Sequence, residues 1–421
     1  MIDPHLLRDD PETVTAALGR RGYSAEDVQE LIALDERRRE LIAAVDEARA
    51  EQKAASKEIG QAAPESRPAL IDQAAKLKDH VTRLETELEV AERQFDEAFA
   101  SVPNLPHPEA PDGQEGDGEV LRTVGEKPTF DFEARDHVEL LEGKAIDLER
   151  AAKVSGARFA YLKGEGALLE FALVRYAMDI AQEHGHVPVV PPVLVREDAM
   201  YGTGFLPTDE QQIFTTDRDD YYLVGTSEVA LAGLHMDEIF DPEDLPIRYV
   251  GFSTCFRREA GAYGKDTRGI FRVHQFDKVE LFSFVSPEAS SDEHERLLSI
   301  EEEVFTGLEL HYQVVDIPVG DLGASAARKF DIEAWLPGQQ AYREITSTSN
   351  TTDYQARRLA ARIRNRDGDN VLVHTLNGTA VAIQRAIIAL VETHQQADGS
   401  IRVPERLVPY LGREVLLADG G

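Results

Sequence analysis

Five basic side chains, Arg257, Arg258, Lys265, Arg268 and Arg272, fall within the twenty-one positions from Phe256 to Phe276 of a chain whose formal net charge is −33. Acidity on that scale argues against anion binding over most of the surface, because affinity for phosphate comes largely from Lys and Arg. A local exception therefore points to a local anion. Arginine is planar, permanently charged and able to hold phosphate oxygens through two donors at once. Arg257 and Arg272 lie on strand-like flanks, and "AGAYGKDTRG" between them has the glycine content of a mobile hairpin loop. On its residues alone, the stretch is either a solvated basic hairpin or an anion cradle. "KGEGALLEF" has neither a third glycine nor the Gly-Lys-Ser/Thr of a P-loop, so side chains must hold any phosphate.

Other polar residues leave similar alternatives. "REITSTSN", Arg343 to Asn350, is a run of oxygen donors or a polar strand, and Glu280 in "DKVELFSF" alternates with Val279 and Leu281, the pattern of an exposed strand carboxylate. The single cysteine, Cys255, reads as a buried structural thiol. His184 and His186 lack Cys or acidic partners at ligand spacing, so no zinc is expected.

A chain of 421 residues, 42% of them hydrophobic, is long enough for two or three domains. No apolar run approaches the roughly 18 residues of a membrane span, and "MIDPHLLRDDPETV" is unlike a signal peptide, so a cytoplasmic protein with no membrane partner is expected. Apolar or small residues recur at Leu31, Leu34, Leu41, Val45, Ala48, Ala55 and Ile59, interrupted at Arg38 and Gln52. The seam resumes at Leu70, Ala74, Leu77, Val81, Leu84, Leu88, Ala91 and Phe95 beyond a break at Gly60 to Pro68. This heptad spacing predicts two long helices folded back antiparallel, a spacer or oligomerisation coiled coil on periodicity alone. "SVPNLPHPEAPDGQEGDGE", Ser101 to Glu119, is too rich in Pro, Gly and acid to pack a core and reads as a linker. The division predicted is an arm over 1–104, a linker over 105–118 and a second domain over 119–421. Beyond the linker, "HVPVVPPVLV", "DYYLVG", "IRYVGFSTCF" and "KVELFSFV" read as strands, with helices near Leu168 to Glu183, Ser286 to Leu308 and Thr379 to His394. Short strands without regular helical alternation predict an α+β fold on an antiparallel β-sheet with flanking helices.

"GTSEVAL" (Gly225 to Leu231), "FRREAGAYGKDTRGIFRVHQFDKVE" (Phe256 to Glu280), "REITSTSN" and "LNGTAVAIQRAIIALVE" (Leu376 to Glu392) occur in an order and spacing that resembles the bacterial seryl-tRNA synthetase family, among the class II aminoacyl-tRNA synthetases. The resemblance covers essentially the whole chain. It implies an ATP-dependent ligase that forms seryl-adenylate from L-serine and ATP and transfers serine to tRNA(Ser) and also tRNA(Sec). It implies that Arg257 meets the α-phosphate, that Glu259 accepts from the adenine amino group, and that Phe276 and Arg385 take the two faces of the adenine. Arg272 would reach the far end of the triphosphate, and Arg258, Val273, Ile345 and Thr346 complete the ATP site. Glu344 and Ser347 match ligands of Mg²⁺, the expected metal. Thr226, Ser227, Glu228, Glu280, Asn377 and Thr379, with Arg257, match the serine site, where hydrogen bonds rather than apolar surface must discriminate. Lys265 and Arg268 would meet the tRNA acceptor end, and the arm its long variable arm. "QEHGHVPVVPPVLV", Gln182 to Val195, resembles the dimer motif of the class, so a homodimer is expected. Thr379 stands where some relatives have serine, and nothing in the arm forms a strongly basic patch. Two rival readings are a ligase to a carrier protein, which would lack the arm, and an inactive paralogue acting as a scaffold, which would have lost one of Arg257, Glu344 or Arg385.

Overall fold

The computed structural model describes residues 1–261, 264, 266, 268–365 and 368–417. It divides into two compact units, Asp3–Val102 and Pro103 onward with Met1–Ile2.

The first unit holds α1 (Pro11–Arg20), α2 (Ala25–Gln61) and α3 (Arg67–Ala100), the last two antiparallel. At about 1.5 Å per residue, the 37 residues of α2 span about 55 Å. A capping box starts α2: Asp27 N donates to Ser24 Oγ at 3.1 Å, and Ser24 N donates to Asp27 Oδ2 at 2.7 Å. Pro68 lies in the first turn of α3, where its missing N–H costs nothing. The predicted seam is the buried one, with Leu31, Leu41, Val45 and Ala48 of α2 and Val81, Ala91 and Phe95 of α3 at its centre.

A carboxylate is buried beside the seam. Asp35 is 1% exposed and accepts from Arg8 at 2.7 Å and from Arg38 and Arg39 at 2.9 Å. Burial by itself would raise its carboxyl, but the three guanidinium bonds outweigh it and hold the group well below the usual carboxylate range. Arg38, which interrupts the apolar spacing, lies 4.5 Å from the Phe95 ring centre. Asp35→Asn leaves three guanidinium groups without their anion and lowers the stability of this unit by on the order of 2 to 3 kcal/mol at pH 7, the arginines' partial exposure softening the loss. A group with a depressed folded pKa stabilises above its unfolded pKa, so the difference between wild type and variant narrows as pH falls below about 4. Urea unfolding followed by helical circular dichroism checks both.

The second unit is built on β1 (Glu119–Val124), β2 (Val187–Val189), β3 (Ile247–Phe256), β4 (Gln275–Val285), β5 (Tyr312–Asp316), β6 (Arg328–Leu336), β7 (Ala341–Thr352) and β8 (His374–Ala382). They form one sheet in the order β1-β5-β6-β7-β8-β4-β3-β2, antiparallel at every pair except β2 with β3. With the arm, this is the α+β architecture expected. Helices α4 (Glu165–Glu183), α5 (Glu228–Gly233), α6 (Ser290–Gly307), α7 (Tyr354–Leu359) and α8 (Ile383–His394) pack with it. Leu173, Leu297, Val304 and Ile387 of these helices share one apolar core with Val279, Leu281, Ile332 and Leu376 of the strands.

Two expectations need correction. Thr379 to Ala382 is strand rather than helix, because these residues complete the pairing of β8 with β4, Thr379 standing opposite Glu280. The supposed linker is partly docked: Asn104 is buried and donates to Ser325 O at 2.9 Å and Thr351 O at 2.8 Å, while Ala110 packs with Val315, Ile317 and Val319. A proline-rich strand has few donors to satisfy and can lie extended on the body when one amide side chain ties it down.

Candidate active site

The register of β3 on β4 runs from Ile247 opposite Phe284 to Phe256 opposite Gln275, and Arg257 N continues the ladder by donating to His274 O at 3.0 Å. This carries Arg257, Glu259, Arg272, Val273, Phe276 and Glu280 onto the wall of a cavity of about 380 Å³. Strand β7 adds Glu344, Ile345, Thr346 and Ser347, β8 adds Asn377 and Thr379, the start of α5 adds Thr226 and Glu228, and the first turn of α8 adds Arg385. Residues from Thr226 to Arg385 thus surround one space.

Its cations are already held. Arg257 Nε donates to Gly225 O at 3.1 Å, and its guanidinium lies 5.2 Å from the Phe276 ring centre. Arg272 Nη1 donates to Glu259 Oε2 at 2.7 Å. Glu259 has a positive φ of 51°, a costly conformation for a residue with a side chain. Arg385 donates to Glu344 O at 3.0 Å and lies 3.2 Å from its carboxylate. The two-sided slot expected between Phe276 and Arg385 is differently arranged: Arg385 lies over Phe271, 4.8 Å from its centre, and Arg343 lies 4.0 Å from the same ring. The Glu344 side chain, 41% exposed, opens to the cavity. Burial raises its carboxyl, but Arg385, Lys329 and Arg257 bring it down to about 2, so it is ionised at neutral pH.

Carboxylates occupy the rest of the wall. Glu228 Oε1 accepts from Gln355 at 2.7 Å and from Asn377 at 2.9 Å, and burial followed by repulsion from Glu280 pushes its carboxyl up to about 7. Glu280 is 1% exposed, against the exposed position its alternation suggested. Strand β4 is buried on both sides from Lys278 to Val285, so Glu280 faces the cavity instead of water. Glu280 pairs with Lys278 and accepts from Thr379 Oγ1 at 3.4 Å.

Two residues expected in the cavity, Arg258 and Ser227, lie elsewhere. Arg258 is exposed and off the cavity wall, its N–H donating to Gln212 O at 2.8 Å. Ser227 is fully buried behind its neighbours and does not line the cavity. Arg268 is turned to Asp136 at 2.5 Å. Lys265 lies outside the described residues. Sequence reading missed Lys278, Lys329, Phe271 and Gln384, which line the cavity, and Gln355, which holds Glu228. Phe271, Lys278 and Gln384 stand inside the motifs that carry the resemblance, whereas Lys329 and Gln355 lie outside all of them. His184 bonds Glu303 at 2.8 Å, and burial pushes His186 down to about 4.

Residues 212–394 match the tRNA synthetase class II core domain (G, H, P, S and T), and residues 1–106 match the seryl-tRNA synthetase N-terminal domain. The serine–tRNA ligase of Acidothermus cellulolyticus is 55% identical over 417 residues, 99% of each chain. The chain belongs to the seryl-tRNA synthetase family. That of Corynebacterium glutamicum is 53% identical over 99% of this chain and 98% of its own. The fold agrees: the crystal structure of a seryl-tRNA synthetase from Pyrococcus horikoshii, complexed with ATP, matches with a TM-score of 0.91 at 41% identity over 99% of both chains. The cytoplasmic serine–tRNA ligase of Naegleria fowleri in complex with AMP gives 0.86 at 32% identity, over 99% of this chain and 98% of that one. Membership makes the protein an ATP-dependent aminoacyl-tRNA ligase, and these relatives lend no support to a carrier-protein ligase or an inactive scaffold. Among the described residues no helix is long and apolar enough to cross a membrane.

Proposed function

We propose that the cavity joins L-serine to ATP and that the chain, as a cytoplasmic homodimer, passes the seryl group to the terminal ribose of tRNA(Ser) and of tRNA(Sec). The observation that carries this reading is that one cavity is lined both by Arg257, Arg272 and Arg385 and by Glu228 and Glu280. The first set suits a triphosphate, the second an ammonium and a hydroxyl.

A serine carboxylate oxygen attacks the α-phosphorus, the bond to the pyrophosphate oxygen breaks, and the extra negative charge is met by Arg257. No covalent enzyme intermediate is needed, since binding alone sets the attack in line. Phe276 is assigned to a face of the adenine, and Arg272 and Glu259, which pair with each other, to the polyphosphate and the adenine amino group. Glu344 and Ser347 present oxygen donors on one strand, one of them ionised at neutral pH, which fits a hard divalent cation. Mg²⁺ bound there would shield phosphate charge. The dimer reading is supported by exposed Val187 (56%) and Val190 (81%) at the edge strand β2, more apolar surface than an isolated edge carries well. Lys265 and Arg268 are assigned to the acceptor end of the tRNA and the arm to its long variable arm.

Serine-dependent exchange of pyrophosphate into ATP, followed by charging of tRNA(Ser), tests the whole. Glu280→Gln tests the amino-acid side: it removes the charge that would receive serine while keeping the shape. Its serine KM rises and its preference for serine over alanine falls by about 10²-fold, with ATP KM little changed. An unaltered preference would remove Glu280 from the serine site.

A further inference from the structure

Acidic side chains gather in and beside the cavity, Glu228 and Glu280 on its wall and Glu301 close to Glu280, where burial disfavours their charge. Glu228 of α5, Glu280 of β4 and Glu301 of α6 are 7%, 1% and 0% exposed. Burial raises all three carboxyls, and Glu280 further raises both others. Lys278 stands two residues before Glu280, hence on the same face of β4. It is 6% exposed, lines the same cavity and forms an ion pair with Glu280. Its Nζ also donates to Thr379 Oγ1 at 3.4 Å, while Thr379 Oγ1 stands 3.4 Å from Glu280 Oε2. An ammonium offers donors and no acceptor. Thr379 Oγ1 therefore accepts from Lys278, and its one proton turns to Glu280.

We propose that Lys278 is a positioning and specificity-determining residue for serine, keeping Glu280 ionised and turning the Thr379 hydroxyl toward it, so that the pocket presents acceptors to the substrate's ammonium and hydroxyl. The proposal rests on the reading of Glu280 as the serine acceptor. With its proton restored, Glu280 would present a donor to an ammonium that has only donors, and the pocket would lose its means of telling serine from alanine. The groups facing Glu280 are Glu228 from α5, Glu301 from α6, Thr379 from β8, Cys255 from β3, Arg257 just beyond β3, and Lys278 itself. Lys278 and Arg257 are the cations in that set. Without Lys278, Glu280 takes up its proton at higher pH, and serine binding is lost earlier as pH falls.

Pyrophosphate exchange by the full chain, measured against serine from pH 6 to 9, tests this with Lys278→Gln, Lys278→Arg and Glu280→Gln. Lys278→Gln keeps a donor and removes the charge: serine KM at pH 7 rises by about 10²-fold, and the acid limb of kcat/KM for serine moves up by at least about one pH unit. ATP KM stays within about twofold of wild type, and Lys278→Arg keeps the limb near its wild-type place. A limb unmoved in Lys278→Gln, or serine and ATP KM rising together, overturns the proposal. If Glu280→Gln leaves serine KM unchanged, the reading of Glu280 itself fails. If it raises serine KM while Lys278→Gln does not, only the role of Lys278 fails. Should Lys278→Gln not fold, Thr379→Val tests the relay: a serine-to-alanine preference down by about tenfold or more with the acid limb in place supports it, and an unchanged preference overturns it.

Discussion

Arg257→Ala reduces serine-dependent pyrophosphate exchange by about 10² to 10³-fold, the worth of one transition-state charge contact of about 3 to 4 kcal/mol. The fold survives, because the ladder at the end of β3 is closed by the Arg257 main chain on His274 O, which alanine retains. What is lost is a guanidinium fixed by Gly225 O and the Phe276 ring, together with a cation that lowers the carboxyls of Glu280 and Glu344. The α-phosphate gains charge only as the carboxylate attacks, so kcat falls further than ATP KM rises. Exchange kinetics and a thermal melt on the same preparation check both halves. Near-normal exchange by a folded variant would remove Arg257 from the chemistry.

Much of this site was legible because motifs report residue identity at a few positions, and the strands that carry them are strongly patterned. "IRYVGFSTCF" is β3 in full, and the arm's seam was readable because 3-4 spacing needs only local sequence. Failures occurred where a residue's partner comes from elsewhere in the chain. Alternation made Glu280 an exposed carboxylate, because period two assumes one wet face, and β4 has none from Lys278 onward. Asp35 has no place in the 3-4 spacing, and Arg8, 27 residues earlier, helps to make it a buried hub. Lys278 and Gln355 carry no signal of their own; their roles follow from Thr379 and Glu228, which only the sheet and α7 bring to them.

The acidic composition also gains a local meaning. The cavity cations are matched in advance: Arg272 to Glu259, Arg385 to Glu344, Lys329 to Asp331 and Lys278 to Glu280. Arg343, stacked on Phe271 beside Arg385, is likewise held by Asp266. An incoming polyphosphate meets guanidinium groups already oriented, which lowers the ordering cost of binding, and with five donors each can hold a phosphate oxygen without wholly releasing its carboxylate.

Deleting Glu51 to Lys76 and closing α2 onto α3 with a short turn leaves serine activation within about twofold of wild type, while charging of tRNA(Ser) falls by about 10²-fold or more, as for a ligand stripped of a binding module that supplied several kcal/mol. The excision is structurally mild: the fully buried seam residues Leu31, Leu41, Val45, Ala48, Val81, Ala91 and Phe95, and the Asp35 hub, all lie outside it. Each residue assigned to ATP or serine belongs to the other compact unit, from Thr226 onward. Exchange therefore reports the cavity and charging reports the arm, and the two separate if the arm's work is to grip RNA. Gel retardation of tRNA(Ser) should weaken in step with charging, since the arm would act on binding before chemistry. If the shortened chain charges tRNA(Ser) as well as the full one, the hairpin tip is only a spacer. If exchange is lost too, the two units depend on each other for folding, and the arm's contribution must be sought by point substitution along α2 and α3 instead.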